Sequence, residues 1–132
     1  MKKNTSEWLC AACDDLLVNE KLLGDERITH LVAFHSQQCV EKSLKAIIEE
    51  KDLEFRKIHN LRRLFGICAA YISLSEEEKN TVILLDKLYV DARYPGELGL
   101  LPDGKPTQED AQQFQDFARK IYNQCNDILT ES

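Results

Sequence analysis

Histidine gains or loses a proton near neutral pH more readily than any other side chain, and this chain contains three, His30, His35 and His59. No acid, base or nucleophile stands at a sequence spacing that would pair with any of them for catalysis. We therefore interpret His35 as a half-buried histidine of the core. His59 begins a predicted helix beside basic residues, so it is either a helix cap or a phosphate contact.

A polar stripe on the most apolar segment of the chain is a second candidate site. At about 100° per residue, Gln38, Lys42 and Lys45 project into one narrow sector with Glu49, and His35 lies at the edge of that sector. Buried charges must be paired or must reach water. The stripe therefore either borders a solvated groove or meets a partner, and we predict that Gln38, Lys42 and Lys45 bind a ligand there.

Positive charge is concentrated between residues 51 and 63, where five basic residues outnumber two acids and the local charge is +3. The whole chain has a net charge of −6, which disfavours indiscriminate binding of nucleic acid because like charges repel at long range. The basic segment is either an anion-binding rim or an ordinary solvated surface.

The fourth predicted helix suggests two further contacts. Asp86 and Arg93 are seven residues apart and therefore share one side of the helix. There they either form an exposed ion pair or leave Arg93 able to reach a groove. Ile83, Val90 and Tyr94 form a second apolar stripe beside the core-facing one. That second stripe contacts either the following loop or a second copy of the chain, and we predict a homodimer interface there.

The cysteine pattern and the missing motifs give no support to metal or cofactor chemistry. Cys10 and Cys13 have the spacing of a redox or zinc pair, but no second close pair of Cys or His residues completes four ligands. All five cysteines fall on or near apolar faces of predicted helices, which favours core packing. Glycine-rich phosphate loops and serine elbows are also absent from the sequence. We expect no metal and no cofactor.

Composition and length are typical of one ordinary globular domain spanning residues 1–132, with 43% hydrophobic and 30% charged residues. No apolar run approaches the roughly 18 residues that cross a bilayer. The N-terminal segment lacks the apolar core of a signal peptide. We therefore expect no membrane partner and a cytoplasmic location.

Helices must position all of these residues, because helical periodicity runs through the chain and no segment alternates with a period of two. The sequence thus predicts an all-α fold, an up-and-down bundle of four long helices and one short helix. The predicted helices cover residues 5–23, 26–51, 60–71, 75–93 and a final segment after residue 107. The second is apolar around most of its circumference, so we place it at the centre.

Local signals predict where the helices begin and end. Gly24 is placed to end the first helix, while Asp25 and Asn60 are predicted to cap the second and third. Capping boxes open the last two helices, and they pair Ser75 with Glu78 and Thr107 with Asp110. The predicted core faces of the first and fourth helices include Leu17 and Leu84.

Three segments carry a resemblance when they are read in order: residues 35–46, HSQQCVEKSLKA, residues 59–61, HNL, and residues 93–95, RYP. Together they resemble the HEPN domain family, and the match spans most of the chain. The resemblance implies a small α-helical bundle, usually a homodimer, often encoded beside a minimal nucleotidyltransferase with which it forms a toxin–antitoxin pair. Many such relatives are metal-independent ribonucleases that cleave RNA through the ribose 2′-hydroxyl. Their active motif is an arginine followed, after four to six residues, by a histidine, and two copies of it meet across the dimer.

This chain departs from that motif. No histidine follows Arg93, and only two residues separate Arg27 from His30 and Arg56 from His59. Without a base at the required spacing, another group would have to accept the 2′-hydroxyl proton. We therefore predict a non-catalytic or weakly active member that binds a nucleotide, RNA or a minimal nucleotidyltransferase, as one half of a toxin–antitoxin-like pair.

The predicted ligand contacts are Gln38, Lys42, Lys45, His59, Arg93 and Tyr94. Two alternatives remain open at the level of sequence. In the first, the protein is a metal-independent endoribonuclease toxin in which folding brings Arg93 close to His35 or His59. In the second, it is a structural dimerisation bundle whose interface is the second apolar stripe of the fourth helix.

Overall fold

The computed structural model describes residues 1–54, 57–93 and 104–131, and for residues 91–93 it describes the backbone alone. Within these ranges the chain forms five α-helices, one 3₁₀ turn and no β-strand. The helices are α1 (Lys3–Leu22), α2 (Thr29–Glu50), α3 (Leu61–Ile67), α4 (Glu76–Arg93) and α5 (Gln108–Thr130). α2 packs against all four of the others. The predicted all-α bundle with a central second helix is confirmed.

Most helix ends follow the local signals. Asn60 caps α3 by accepting the N–H three residues ahead, and Ser75 with Glu78 forms the reciprocal pair of hydrogen bonds that opens α4. Thr107 with Asp110 does the same for α5. These bonds join residues three apart, so the surrounding fold has little influence on them.

The first connection differs from the prediction. Gly24 follows the end of α1 with a φ of +98°, a conformation that glycine adopts without steric cost. Asp25, however, accepts the backbone N–H of Arg27, pairs with its guanidinium and so caps the start of the 3₁₀ turn Glu26–Ile28. α2 therefore begins at Thr29, and the prediction that Asp25 caps it directly was wrong.

Each of the other helices packs one buried stripe against α2. In α2 itself, fourteen of the 22 residues are buried. Two leucines predicted to face the core lie outside these stripes, Leu17 at 52% and Leu84 at 41% exposure. Leu16 and Leu85, one position away and also predicted to face the core, are buried there. A step of about 100° along a helix is enough to move a side chain from the packed face to its solvated border.

Candidate functional site

Two polar clusters, each centred on a buried carboxylate, lie beside α2. The Asp15 cluster consists of Asp15 from α1 with His35 and Lys42 from α2. The Glu41 cluster consists of Gln37, Glu41 and Lys45 from α2 with His59, which precedes α3. His35 and Lys42 therefore pair with Asp15 of α1, whereas Lys45 pairs with Glu41 of its own helix.

In the Asp15 cluster, one carboxylate holds a lysine and a histidine at once. Lys42 Nζ donates to Asp15 Oδ2 at 2.8 Å, and His35 Nδ1 lies 2.9 Å from Asp15 Oδ1. Because an ionised carboxylate only accepts hydrogen bonds, His35 Nδ1 must carry the hydrogen. The imidazole also packs edge-on against the Phe34 ring, at 5.2 Å between centroids. His35 is thus fixed by a tertiary partner that its sequence neighbourhood does not contain.

The Glu41 cluster is more deeply buried on its α2 side. Lys45 Nζ donates to Glu41 Oε2 at 2.9 Å, and Gln37 Nε2 donates to Glu41 Oε1 at 3.2 Å and to the His59 carbonyl at 3.0 Å. The side chains of Glu41 and Lys45 are only 5% and 8% exposed. The Lys45 ammonium also lies 5.4 Å from the centroid of the Trp8 ring, where a cation–π attraction adds to the ion pair.

His59 connects this buried cluster to solvent. Its Nδ1 lies 3.2 Å from Glu41 Oε2, while its side chain is 51% exposed. A carboxylate bonded at Nδ1 places the hydrogen on that nitrogen, so in the neutral ring Nε2 is the proton acceptor. The arrangement therefore presents an oriented imidazole at the surface.

Asp86 from α4 organises the residues that follow His59. Its side chain accepts the backbone N–H of Leu61 at 2.8 Å and of Arg62 at 3.3 Å. Burial raises the pKa of Asp86 above its ordinary value of 3.8, and these two N–H donors oppose that rise. We predicted Asp86 on an exposed flank, and this was wrong, because it is 8% exposed and anchors α3 to α4. The side chain of its predicted partner, Arg93, lies outside the described residues.

A basic edge, defined by Lys57, His59, Arg62 and Arg63, runs along the start of α3. All four residues are exposed. Arg62 Nε is 3.9 Å from Asp86 Oδ2, a weak pairing for a guanidinium that is 62% exposed. The basic edge lies within the predicted anion-binding segment, and it can attract phosphate or carboxylate groups from solution.

The structure describes the side chains of four of the six predicted ligand contacts. Lys42 and Lys45 are paired with carboxylates, and Gln38, which is half-buried, donates to Gln37 Oε1 at 2.7 Å. Tyr94 lies outside the described residues.

Of the predicted dimer contacts on α4, Ile83 and Val90 are 48% and 53% exposed.

Sequence reasoning missed the two carboxylates that organise these clusters. Glu41 precedes Lys45 by four residues, a spacing that favours an ion pair on a helix, so a local signal was present. Asp15 lies 27 residues before Lys42, and no local pattern connects them. Only helix packing brings that pair together.

All five cysteines lie within the described residues, and each is a free thiol. Burial raises the pKa of Cys39 and of Cys68 to about 12, which keeps both protonated and unreactive at neutral pH. The prediction of core packing holds for these two and for Cys125, which is fully buried. It was wrong for Cys10, which is exposed on the outer side of α1.

The fold and the site together give the class of this protein. It is a small all-α domain whose central helix carries polar clusters beside a basic edge. The sequence matches the HEPN domain family over residues 5–128, and the chain belongs to that family. No curated protein matches it significantly. In the described part of the chain, no helix has both the length and the apolar character needed to cross a membrane.

Two solved structures are similar to this fold. The crystal structure of TT1696 from Thermus thermophilus superposes with a TM-score of 0.77 at 23% sequence identity, covering 96% of this chain and 99% of that one. ST0689, described as an archaeal HEPN homologue, gives a TM-score of 0.69 at 26% identity, covering 96% of this chain and 97% of that one. The likeness extends over nearly the full length of all three chains.

Proposed function

We propose that this HEPN-domain protein is a non-catalytic or weakly active module that binds a nucleotide or RNA through its phosphates at the basic edge. The observation that carries the proposal is the half-exposed imidazole of His59, which the buried Glu41 carboxylate orients. Two exposed arginines, Arg62 and Arg63, follow it within four residues. Phosphate oxygens accept hydrogen bonds from guanidinium and imidazole N–H groups, so this edge matches such a ligand.

The lysines of α2 have a supporting part in this proposal. A phosphate at Lys42 or Lys45 would have to displace a carboxylate that already lies within 2.9 Å of the ammonium. We therefore assign direct contacts to the basic edge, while Lys45 holds Glu41 in place behind His59. Gln38, Arg93 and Tyr94 remain predicted contacts.

Fluorescence anisotropy with a labelled single-stranded oligoribonucleotide tests the site. Arg63→Gln should raise the Kd about two- to fivefold, as expected for one exposed ionic contact, and should lower the salt dependence of binding. Lys21→Gln is the matched control, because Lys21 is exposed at the end of α1 and its replacement changes net charge equally. Equal weakening by the two variants would mean that only net charge matters and would remove the basic edge as a site.

One observation favours a second candidate, the metal-independent endoribonuclease. A histidine held by a carboxylate at Nδ1 is the arrangement in which Nε2 serves as a general base, and His59 has that arrangement. Fluorescent RNA incubated with the protein in excess EDTA should remain intact if the protein only binds. Cleavage that His59→Ala abolishes, and that His30→Ala leaves unchanged, would establish the enzyme instead.

We also propose a homodimer through the exposed apolar residues of α4, with Tyr94 as a further predicted contact. Ile83 and Val90 support this because they expose apolar surface on one helix side. Sedimentation equilibrium should show a dimer that Val90→Ser weakens and that Leu17→Ser, on α1, does not. A monomer at every concentration would contradict the interface.

A minimal nucleotidyltransferase remains a proposed partner in a toxin–antitoxin-like pair, and family membership is what supports it. Co-expression with such an enzyme encoded by a neighbouring gene should yield a complex that survives size-exclusion chromatography. The free buried thiols fit a reducing compartment, so we propose a cytoplasmic location.

A further inference from the structure

A concave site lies away from the Glu41 cluster, between α3, the turn after it and α4. The cavity has a volume of about 440 Å³, which lies within the range of roughly 300–1,000 Å³ typical of small-molecule pockets. Its walls are mainly apolar and include Phe65, Ile72, Leu74, Val82 and Ile83. Binding an apolar group in such a cavity is favourable, because it removes apolar surface from contact with water.

A glycine in the last turn of α3 helps to open this cavity. Gly66 lines it, and a Cβ built on Gly66 would have no heavy atom of the described chain within 4 Å. Glycine inside a helix costs about 1 kcal/mol relative to alanine. No crowding within the described fold accounts for the missing methyl group, and the glycine leaves room for a bound molecule to approach the helix.

The rim of the cavity carries positive charge. Arg62 and Lys79 both line it, and their side chains are 62% and 56% exposed. Each has an acidic neighbour, Asp86 at 3.9 Å from Arg62 and Glu76 at 3.1 Å from Lys79, but these contacts leave the cations largely in solvent. The hydroxyl of Ser73 is the one uncharged side-chain hydrogen-bonding group among the lining residues. Such a lining offers little to the polar edges of a nucleobase.

We propose that this cavity binds an amphiphilic organic anion, a molecule with an apolar body and one carboxylate, sulfonate or phosphate head. The apolar body fills the space against Phe65, Val82 and Gly66, and the head lies between Arg62 and Lys79. The site shares Arg62 with the basic edge, and its other lining residues lie outside that edge. Variants of Lys79 and Ala69 therefore test the cavity separately from the nucleotide or RNA binding proposed above.

Titration with 1-anilinonaphthalene-8-sulfonate, an apolar fluorophore with a single anionic group, tests the cavity directly. We expect saturable 1:1 binding that decanoate displaces and that decyltrimethylammonium, with a chain of the same length and opposite charge, does not. Lys79→Gln should weaken the binding about two- to fivefold through loss of one exposed charge. Displacement by the cation as readily as by decanoate would overturn the proposal.

Two adjacent alanines provide a matched pair of variants. Ala69 lines the cavity and Ala70 does not, although both are exposed in the turn after α3. Ala69→Leu should fill the space and weaken fluorophore binding at least tenfold, and Ala70→Leu should bind as the wild type does. Equal binding by the two variants would refute the cavity as the site.

Two further measurements cover the remaining outcomes. If Ala69→Leu fails to fold, Gly66→Ala narrows the same cavity at a position with open space and should still weaken binding.

Fluorophore binding is also measured across a range of protein concentrations. Loss of binding as a dimer forms would mean that a second copy covers the cavity, and would overturn the proposal. Persistence of binding in both the monomer and the dimer would support it.

Discussion

The Glu41–Lys45 ion pair lies at the centre of the bundle, and replacing its two members singly and together measures what it contributes to stability. Glu41→Met leaves the Lys45 ammonium almost fully buried without its carboxylate. Removing one member of a buried pair costs about 3–5 kcal/mol, because the remaining charge keeps its desolvation penalty. Lys45→Met should cost less, about 1–3 kcal/mol, since Gln37 and His59 still bond to Glu41.

The double variant should be far more stable than the sum of the single losses allows. With both charges gone, two unbranched apolar side chains occupy the space, and such replacements of buried pairs are close to neutral in other proteins. We expect a loss of about 1 kcal/mol, because Gln37 also loses a hydrogen-bond acceptor. The coupling energy between Glu41 and Lys45, the amount by which the two single losses together exceed the double loss, should then be about 3–7 kcal/mol.

Urea unfolding at pH 7 gives the four free energies of the cycle. A matched control is the Glu76–Lys79 pair on α4, whose N–O distance of 3.1 Å is close to the 2.9 Å of the buried pair but whose side chains are 90% and 56% exposed. Its coupling should be only about 0.3–0.5 kcal/mol. Equal coupling in the two cycles would refute the reasoning, because it would show that burial does not strengthen the central pair.

Three further predictions concern single positions. Gly66→Ala should raise the free energy of unfolding by about 0.5–1 kcal/mol, since the methyl group meets open space; an unchanged Tm would contradict this. Asp86→Ala should cost about 1–2 kcal/mol in urea unfolding, because the first N–H groups of α3 lose their acceptor; His59→Ala provides the comparison and should cost less. Burial lowers the pKa of His30 below its ordinary 6.5, and the positive charge of Lys105 lowers it further, so His30 resists protonation in the folded state. Stability should therefore fall as the pH drops from 6.5 toward that lowered pKa, and His30→Asn should flatten the slope; an identical slope in the variant would exclude His30 as its source.

Sequence reasoning predicted those features that depend on residues a few positions apart. The hydrogen bonds that open α4 and α5 join residues three apart, so Ser75 and Thr107 could be assigned as caps without knowledge of the fold. The central position of α2 followed from apolar residues around most of its circumference. The absence of a histidine after Arg93 is likewise a property of the sequence alone.

The tertiary structure decided which residues of neighbouring elements the polar residues of α2 contact. Lys42 and Lys45 occupy one sector of α2, yet Lys42 bonds to Asp15 of α1, and Lys45 bonds to Glu41 within its own helix. The same packing places His59, 18 residues from Glu41, against that carboxylate. Helical periodicity gives the direction of a side chain relative to its own axis, but not the residue that the neighbouring helix presents there. That residue depends on how the helices pack and in what register, which the whole core determines.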